Sequence, residues 1–324
     1  MSGFTLTVGI TTRNRPRALD RCLNSLACLA DLDPEIIVFD DGSSPSAAAE
    51  LDARNLPMRV RIIRDESAPG YIVGRNRLVR EAHGLAVLLL DDDASILEEG
   101  AIETALAVLG SDPEVGAIAF AQADASGTPW PASMQPSPGS MPCYVPSFIG
   151  FAHLVRKDVF LALGGYRERF VFYGEEKDFC LRLIESGLQT VYLPDARVAH
   201  EPDPAGRDTR RYLRYVTRND CLHALYNEPL RRAAWVLPAR AFLYFRMRRA
   251  WGVRDSWGWL WVAREIALNL ASVAHERRPV SARTLEIWGR LRSGSQPYTR
   301  PAEMPARRER SASISKPDFA KRMS

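Results

Sequence analysis

Over its first 120 residues the chain alternates between strand and helix patterns, and this alternation leaves few architectures open. "FTLTVGI" (4–10) has a period of two and is rich in β formers. "EIIVF" (35–39), "MRVRII" (58–63), the run 85–90 and "VGAIAFA" (115–121) complete five predicted strands. Helices are expected between them. One starts with Asn14 as cap and Pro16 in its first turn, with Leu19, Cys22, Leu23 and Leu26 on one face. Another lies around 74–83, and a third is "EEGAIETALAVLG", acidic at its start and closed by glycine. Strands and helices at this spacing specify an α/β fold, a mostly parallel central sheet flanked by helices. Ligands of such sheets bind beyond the carboxyl ends of the strands, which here read "TTRNR" (11–15), "DDGSS" (40–44) and "DDDAS" (91–95).

Those strand ends are unusually acidic. Asp91, Asp92 and Asp93 follow the apolar run "LAVLLL" directly, and neighbouring carboxylates repel unless a cation offsets them. Mg²⁺ or Mn²⁺ is commonly held by one or two carboxylates together with substrate phosphates, and alternation lets Asp91 and Asp93 turn one way and Asp92 the other. The competing reading is an acidic turn that ends the strand. Asp40 or Asp41 offers an acceptor for a nucleobase N–H or a ribose hydroxyl, against the plain Asp-Gly turn. "GYIVGRNRLVREA" supplies opposite charge through Arg75, with Asn76 beside it, but lacks the glycine loop of a dinucleotide site. In "YGEEKDFCLRL", Glu175 and Glu176 begin a helix, where one can act as a general base, while Asp178 and Arg182 suit an i,i+4 pair. His200, after the strand pattern "LQTVYL", becomes a third ligand only if a metal is near.

Charge divides the chain. Residues 1–200 carry 18 Lys and Arg against 27 Asp and Glu, whereas residues 201–324 carry 25 against 12. An acidic body with a basic C-terminal third suggests that the second part faces something anionic. That third reads as four helices, near 207–226, 229–250, 257–275 and 281–291, followed from 293 by a flexible basic tail rich in Ser, Pro and Arg. The stretch 241–274 mixes arginine with Phe, Tyr and Trp, as helices on anionic membrane surfaces do; packing on the catalytic domain or on a partner subunit is the alternative. No run reaches the roughly 18 apolar residues of a membrane span. Five cysteines without a CxxC pair read as reduced thiols of a cytoplasmic protein.

The ordered set "TVGITTRNRPRALDRCLNSL", "EIIVFDDGSS", "GYIVGRN", "LLLDDDASIL", "LGGYRERFVFYGEEKDFCLRL" and "VYLPDARVAH" closely resembles the family 2 glycosyltransferases, over roughly residues 4–225. The resemblance implies an inverting, metal-dependent enzyme of the GT-A type, moving a hexosyl or deoxyhexosyl group from a nucleoside-diphosphate sugar to an acceptor hydroxyl. It implies a catalytic domain over 1–206 and a helical extension over 207–292, in which "RRYLRYVTRNDCLHALYNEPL" is similar to rhamnosyltransferase-like members and brings Arg218 and Asn219 near the active site. Position by position, Thr11, Arg13 and Asp41, with Asp40 close by, line the nucleoside pocket, and Arg75 and Asn76 pack under the nucleotide. Asp91 and Asp93 match the DxD pair, Asp93 as direct metal ligand and Asp91 towards ribose or metal-bound water, with Asp92 between them in the donor site. His200 matches a further ligand for Mn²⁺ or Mg²⁺. Glu176 stands where the family usually has an aspartate as catalytic base, so Glu175 remains open for that role and Asp178 is a weaker third.

Two other classes use similar residues. A metal-dependent nucleotidyl- or phosphotransferase normally needs a glycine-rich or lysine-bearing phosphate loop, absent from "TTRNRPRA". A non-catalytic sugar-nucleotide binder would not need acidic residues at all three sites. The expected partners are a sugar-nucleotide donor and an acceptor of the cell envelope or of polysaccharide biosynthesis, with no nucleic acid. Peripheral membrane contact through 241–274 and a homodimer are the candidate assemblies, and the cytoplasmic face of the membrane the expected location.

Overall fold

The computed structural model of the protein describes residues 5–52, 59–202 and 208–299. Its first half runs β1 (Leu6–Thr12), α1 (Pro16–Ser25), β2 (Glu35–Asp40), α2 (Ala47–Asp52), β3 (Val60–Arg64), α3 (Tyr71–Glu81), β4 (Ala86–Asp91), β5 (Ala94–Ile96), α4 (Glu99–Ser111) and β6 (Val115–Ala123). There follow β7 (Cys143–Val145), β8 (Ala152–Arg156), α5 (Lys157–Ala162), α6 (Glu175–Glu185) and β9 (Gln189–His200). The C-terminal part is α7 (Thr209–Asn227), α8 (Leu230–Ala250), α9 (Gly258–Glu276), α10 (Ala282–Ser293) and β10 (Gln296–Pro297).

One sheet carries the molecule, in the order β10-β7-β9-β6-β8-β4-β1-β2-β3, with β5 on β9. The expected parallel arrangement holds for β3-β2-β1-β4 and for β6-β9. The insertion of β8 between β4 and β6 is antiparallel to both, and β7, β10 and β5 also pair antiparallel, so the sheet is mixed beyond β4. Alternate side chains of the central strands enter two different cores. Ile36, Val38, Leu88 and Leu90 pack with Leu19, Leu23 and Ile102 on one face. Ile37, Phe39, Val87 and Leu89 pack with Leu78, Phe179 and Tyr226 on the other. Burial on both faces explains why these strands read as continuous apolar runs.

Several local expectations change. Asn14 does not cap α1: in a left-handed conformation (φ 54°), its Oδ1 accepts from the Ser44 amide at 2.7 Å and its own amide donates to Ser43 Oγ at 2.9 Å. It ties the loops after β1 and β2 together. Helix α4 continues through Gly110 to Ser111 instead of ending at the glycine. Strand β9 does not stop at Leu193. Its register against β6 jumps from Phe120–Leu193 to Ala121–Arg197, and past this bulge it runs on to His200.

The four C-terminal helices lie where the pattern puts them. Leu222 and Tyr226 of α7 join the core that holds Phe170 and Phe179, and Leu285, Trp288 and Leu291 of α10 cover Leu181 and Ile184 of α6. The predicted tail is ordered at its start, since Gln296 and Pro297 pair with β7 and Tyr298 meets Tyr144 edge-on. Its remainder, from 300, lies outside the described residues. All five cysteines are free.

Gly84, just before β4, lies close against the backbone at the start of β1. A Cβ there would meet the Thr7 amide nitrogen at 2.6 Å and the Thr5 carbonyl at 2.7 Å. Backbone cannot yield as a flexible side chain does, so Gly84→Ala is predicted to destabilise the fold by about 1–3 kcal/mol in urea unfolding. An unchanged midpoint would contradict this packing.

Candidate active site

The carboxyl ends of β1, β2 and β4 meet the start of α6 and the end of β9. At the end of β2, Asp40 is fully buried and spent internally. It accepts from the Ser43 amide (2.8 Å), the Ala47 amide (2.9 Å) and Arg64 (2.7 Å). Burial alone would raise its pKa, but these bonds hold it below the usual range. Asp40 therefore shapes the loop after β2. Asp41, also buried, turns the other way: Oδ1 accepts from the Gly70 amide at 2.9 Å, and Oδ2 lies 3.7 Å from the half-exposed Arg13. Burial raises its pKa. Thr11 is buried near the end of β1.

The three aspartates separate as alternation requires, and each meets an arginine or lies beside one. Asp91, the most exposed, accepts from Arg75 Nη2 at 2.6 Å. Asp92 is fully buried, accepting from Thr12 Oγ1 at 2.7 Å and Arg15 Nε at 3.1 Å. Burial pushes its pKa up to about 7 despite Arg15 and Thr12. Asp92 thus supports the loop, turned the other way from Asp91 and Asp93 as the alternation implied. Asp93 accepts from Arg15 Nη1 at 2.8 Å through Oδ2. Its Oδ1 is buried without a hydrogen-bond partner and lies 3.7 Å from His200 Nε2.

His200 reaches this point because β9 continues past its bulge and pairs with β5, setting His200 opposite Ala94. Its ring stacks on Phe151 (4.7 Å) and Trp130 (5.5 Å), and Nδ1 bonds Gln122 Oε1 at 2.7 Å. Gln122 spends its amide N–H on the Met134 carbonyl, which leaves Oε1 as the acceptor and makes Nδ1 the donor. The ring so held sets Nε2 towards Asp93. A histidine oriented through its other nitrogen is the arrangement that metal-binding histidines use. A carboxylate oxygen lacking a donor, facing such a nitrogen, fits a divalent cation. Among the described residues no group of three or more His, Cys, Asp and Glu closes a metal cage, so such an ion would take its other ligands from substrate or water.

At the start of α6 the two glutamates differ. Glu175 is fully buried; it accepts from Arg75 Nη1 at 2.9 Å and from the Tyr71 hydroxyl at 3.3 Å. Glu176 is partly exposed and lies over Gly150, where an added Cβ would strike its Oε1 and the Arg75 guanidinium. Burial and mutual repulsion raise the Glu175 pKa well above the carboxylate range, and burial raises that of Glu176. Arg75 is itself buried and also donates to the Gly150 carbonyl at 2.8 Å. Asp178 leaves the list of bases: it is fully buried among Arg182 (2.9 Å), Arg167 (3.3 Å) and Asn227 (2.6 Å). Burial opposes ionisation, but these arginines and His223 hold it far below the usual range. Asn76 faces inward, bonding the Tyr166 amide and carbonyl at 2.8 Å each, and so secures the loop before α6.

Helix α7 braces that loop. Asn219 Nδ2 donates to the carbonyls of Phe170 (3.0 Å), Phe172 (2.8 Å) and Tyr173 (2.6 Å). Val171 and Tyr173 both hold φ near 65°, which is costly for a β-branched residue, and the Tyr173 amide is tied to the Tyr71 hydroxyl at 2.8 Å. Arg15, Tyr71, Gly150 and Gln122 escaped the sequence reading. Arg15 alone left a trace, as a cation in the segment facing three aspartates.

The fold is that of the GT-A glycosyltransferases. It matches TarS of S. aureus with a TM-score of 0.58 at 17% identity, covering 81% of this chain and 80% of that one. It also matches the mannosyltransferase PcManGT of Pyrobaculum calidifontis, solved with GDP-Man and Mn²⁺, with a TM-score of 0.55 at 16% identity over 90% and 84%. Residues 7–160, just under half of the chain, match the sequence model of glycosyl transferase family 2, and by that match the chain is a glycosyltransferase. A relative from Mycobacterium tuberculosis, N-acetylglucosaminyl-diphospho-decaprenol L-rhamnosyltransferase, is 26% identical over 238 residues, 60% of this chain and 76% of its own length.

Removing Arg75 would leave Glu175 buried beside Glu176 with no cation. Arg75→Met is predicted to cost about 3–5 kcal/mol in chemical denaturation, the scale for orphaning a buried charge. A loss under about 1 kcal/mol would show that Arg75 does not organise the site.

Proposed function

We propose that the enzyme transfers a hexosyl or deoxyhexosyl group from a nucleoside-diphosphate donor to an acceptor hydroxyl in a single inverting displacement, with Glu176 as general base. The contrast between two adjacent glutamates carries this reading. Glu175 has both oxygens engaged with Arg75 and Tyr71. Glu176 is the less buried residue of the two, and its raised pKa suits a group that must take a proton near neutral pH. Glu175 is then a positioning residue, fixing Arg75 and the first turn of α6.

Glu176 accepts the hydroxyl proton as the acceptor oxygen bonds to the anomeric carbon from one face, while the bond to the diphosphate oxygen breaks on the other. Asp41, Arg13 and Thr11 lie at the nucleoside end of the pocket. Asp93 and His200 would hold Mn²⁺ or Mg²⁺, which when bound supplies positive charge to the departing diphosphate. In support, PcManGT was solved with Mn²⁺. Arg15 keeps Asp93 oriented through the opposite carboxylate oxygen.

TarS was solved with UDP-GlcNAc and PcManGT with GDP-Man, so the donor is best sought among UDP, GDP and dTDP sugars. The mycobacterial relative is named for a lipid-diphosphate acceptor. We take the acceptor here to be lipid-linked as well, used at the cytoplasmic face of the membrane during cell-envelope assembly.

With the donor found by nucleotide release, Glu176→Gln is predicted to lower kcat by roughly 10²–10⁴ while nucleotide affinity stays within about twofold. Full activity in Glu176→Gln would end its assignment as base. Because the base works only when ionised, kcat should rise with pH through a pKa above the ordinary glutamate value of about 4.3. A profile flat down to that value contradicts a raised pKa at this pair.

A further inference from the structure

Helix α8 contains six arginines and no acidic residue, and the structure sorts them. On its inner side Arg232 pairs with Glu228 (2.7 Å), Arg240 with Asp220 (3.0 Å), and Arg248 donates to the Asp255 carbonyl (2.9 Å). Ala233 and Tyr244 are buried there, the Tyr244 hydroxyl donating to Asp255 at 2.7 Å. Arg231, Arg246 and Arg249 are exposed and form no ion pair among the described residues. With them stand Trp235, 80% exposed, Phe242, 69%, and Phe245, 46%.

These outward residues share one face. At about 100° per residue, Trp235, Phe242 and Phe245 fall within an arc of about 80°. Arg231 and Arg249 lie in the same arc, at its two ends along the helix, and Arg246 on its flank. Three large aromatic side chains in water are a standing cost unless something covers them. Among the described residues nothing covers Trp235 or Phe242, and Phe245 is only partly covered, by Trp259 of α9.

We propose that this face of α8 is a docking surface for an anionic lipid bilayer, with the aromatic side chains entering the headgroup region and the three unpaired arginines meeting lipid phosphates. Interfacial helices combine such a basic rim with an apolar stripe. No described helix is long and apolar enough to cross a membrane, so the contact is peripheral. A second copy is a poor occupant, because an isologous pairing of this stripe sets arginine against arginine. The chain from 300 to 324 is a poor one too, carrying seven Lys and Arg against three Asp and Glu. The purpose of docking, delivery of the site to a lipid-linked acceptor, rests on the function proposed above; the binding itself does not.

Flotation of the full chain, without donor or acceptor, tests it separately from sugar transfer. Binding is expected to phosphatidylcholine vesicles containing phosphatidylglycerol and to fall at least tenfold with phosphatidylcholine alone. Trp235→Ser, Phe242→Ser and Phe245→Ser combined should lower it at least tenfold, as should Arg231→Gln, Arg246→Gln and Arg249→Gln combined. Circular dichroism of both variants should match the parent. Absence of binding to either vesicle, or equal binding by parent and folded variants, overturns the proposal. So does a concentration-dependent dimer in sedimentation that the same substitutions abolish, which would give the face to a second copy.

Discussion

A buried guanidinium, that of Arg75, allows acidic groups from distant parts of the sequence to share one small volume. It joins the end of β4 through Asp91, the start of α6 through Glu175, and the chain between β7 and β8 through the Gly150 carbonyl. Without such a hub, Asp91, Glu175 and Glu176 would repel one another in a medium of low polarity. With it, two of the three carboxylates are fixed and neutralised, and Glu176 remains at the mouth. The separation between a structural glutamate and a chemically available one follows from that single placement.

Arg15 plays a comparable part on the other side of β4. It holds Asp92 and Asp93 together, so that the acidic strand end tolerates its own charge. It contacts Asp93 on one oxygen and leaves the other facing His200, whose ring is held by Gln122. Around Asp93 and His200 the site is thus a set of paired charges, and on its other side α7 braces the strained loop at 170–173. The C-terminal helices are therefore part of the active-site scaffold through α7.

Much of this was legible from the chain alone. The β1–β4 strands announce themselves because burial on both faces writes continuous apolar runs, and the four C-terminal helices keep a clear helical period. The acidic clusters were visible as charge at strand and helix ends. Their division of labour was not. Asp40 and Asp41 are equivalent as letters; only the packing of Arg64 and the Ala47 amide against one of them decides which is internal. The same holds for Glu175 and Glu176, separated by Arg75 and Tyr71 approaching from α3. The bulge in β9 was hidden because Pro194 and Asp195 read as a strand end, so the pairing of His200 with β5 depended on tertiary contacts. Antiparallel insertion of β8 is likewise a matter of topology, which local periodicity does not encode.

The central claim is that the donor-side charge converges on Asp93 and His200 while Asp91 stays with Arg75. Anomalous diffraction from crystals grown with Mn²⁺ and the nucleoside diphosphate that binds tests it most directly. The account predicts a single manganese peak in contact with Asp93 Oδ1 and His200 Nε2, with Asp91 still hydrogen-bonded to Arg75. A peak on Asp91 away from His200, or bound nucleotide with no manganese beside Asp93, would contradict it.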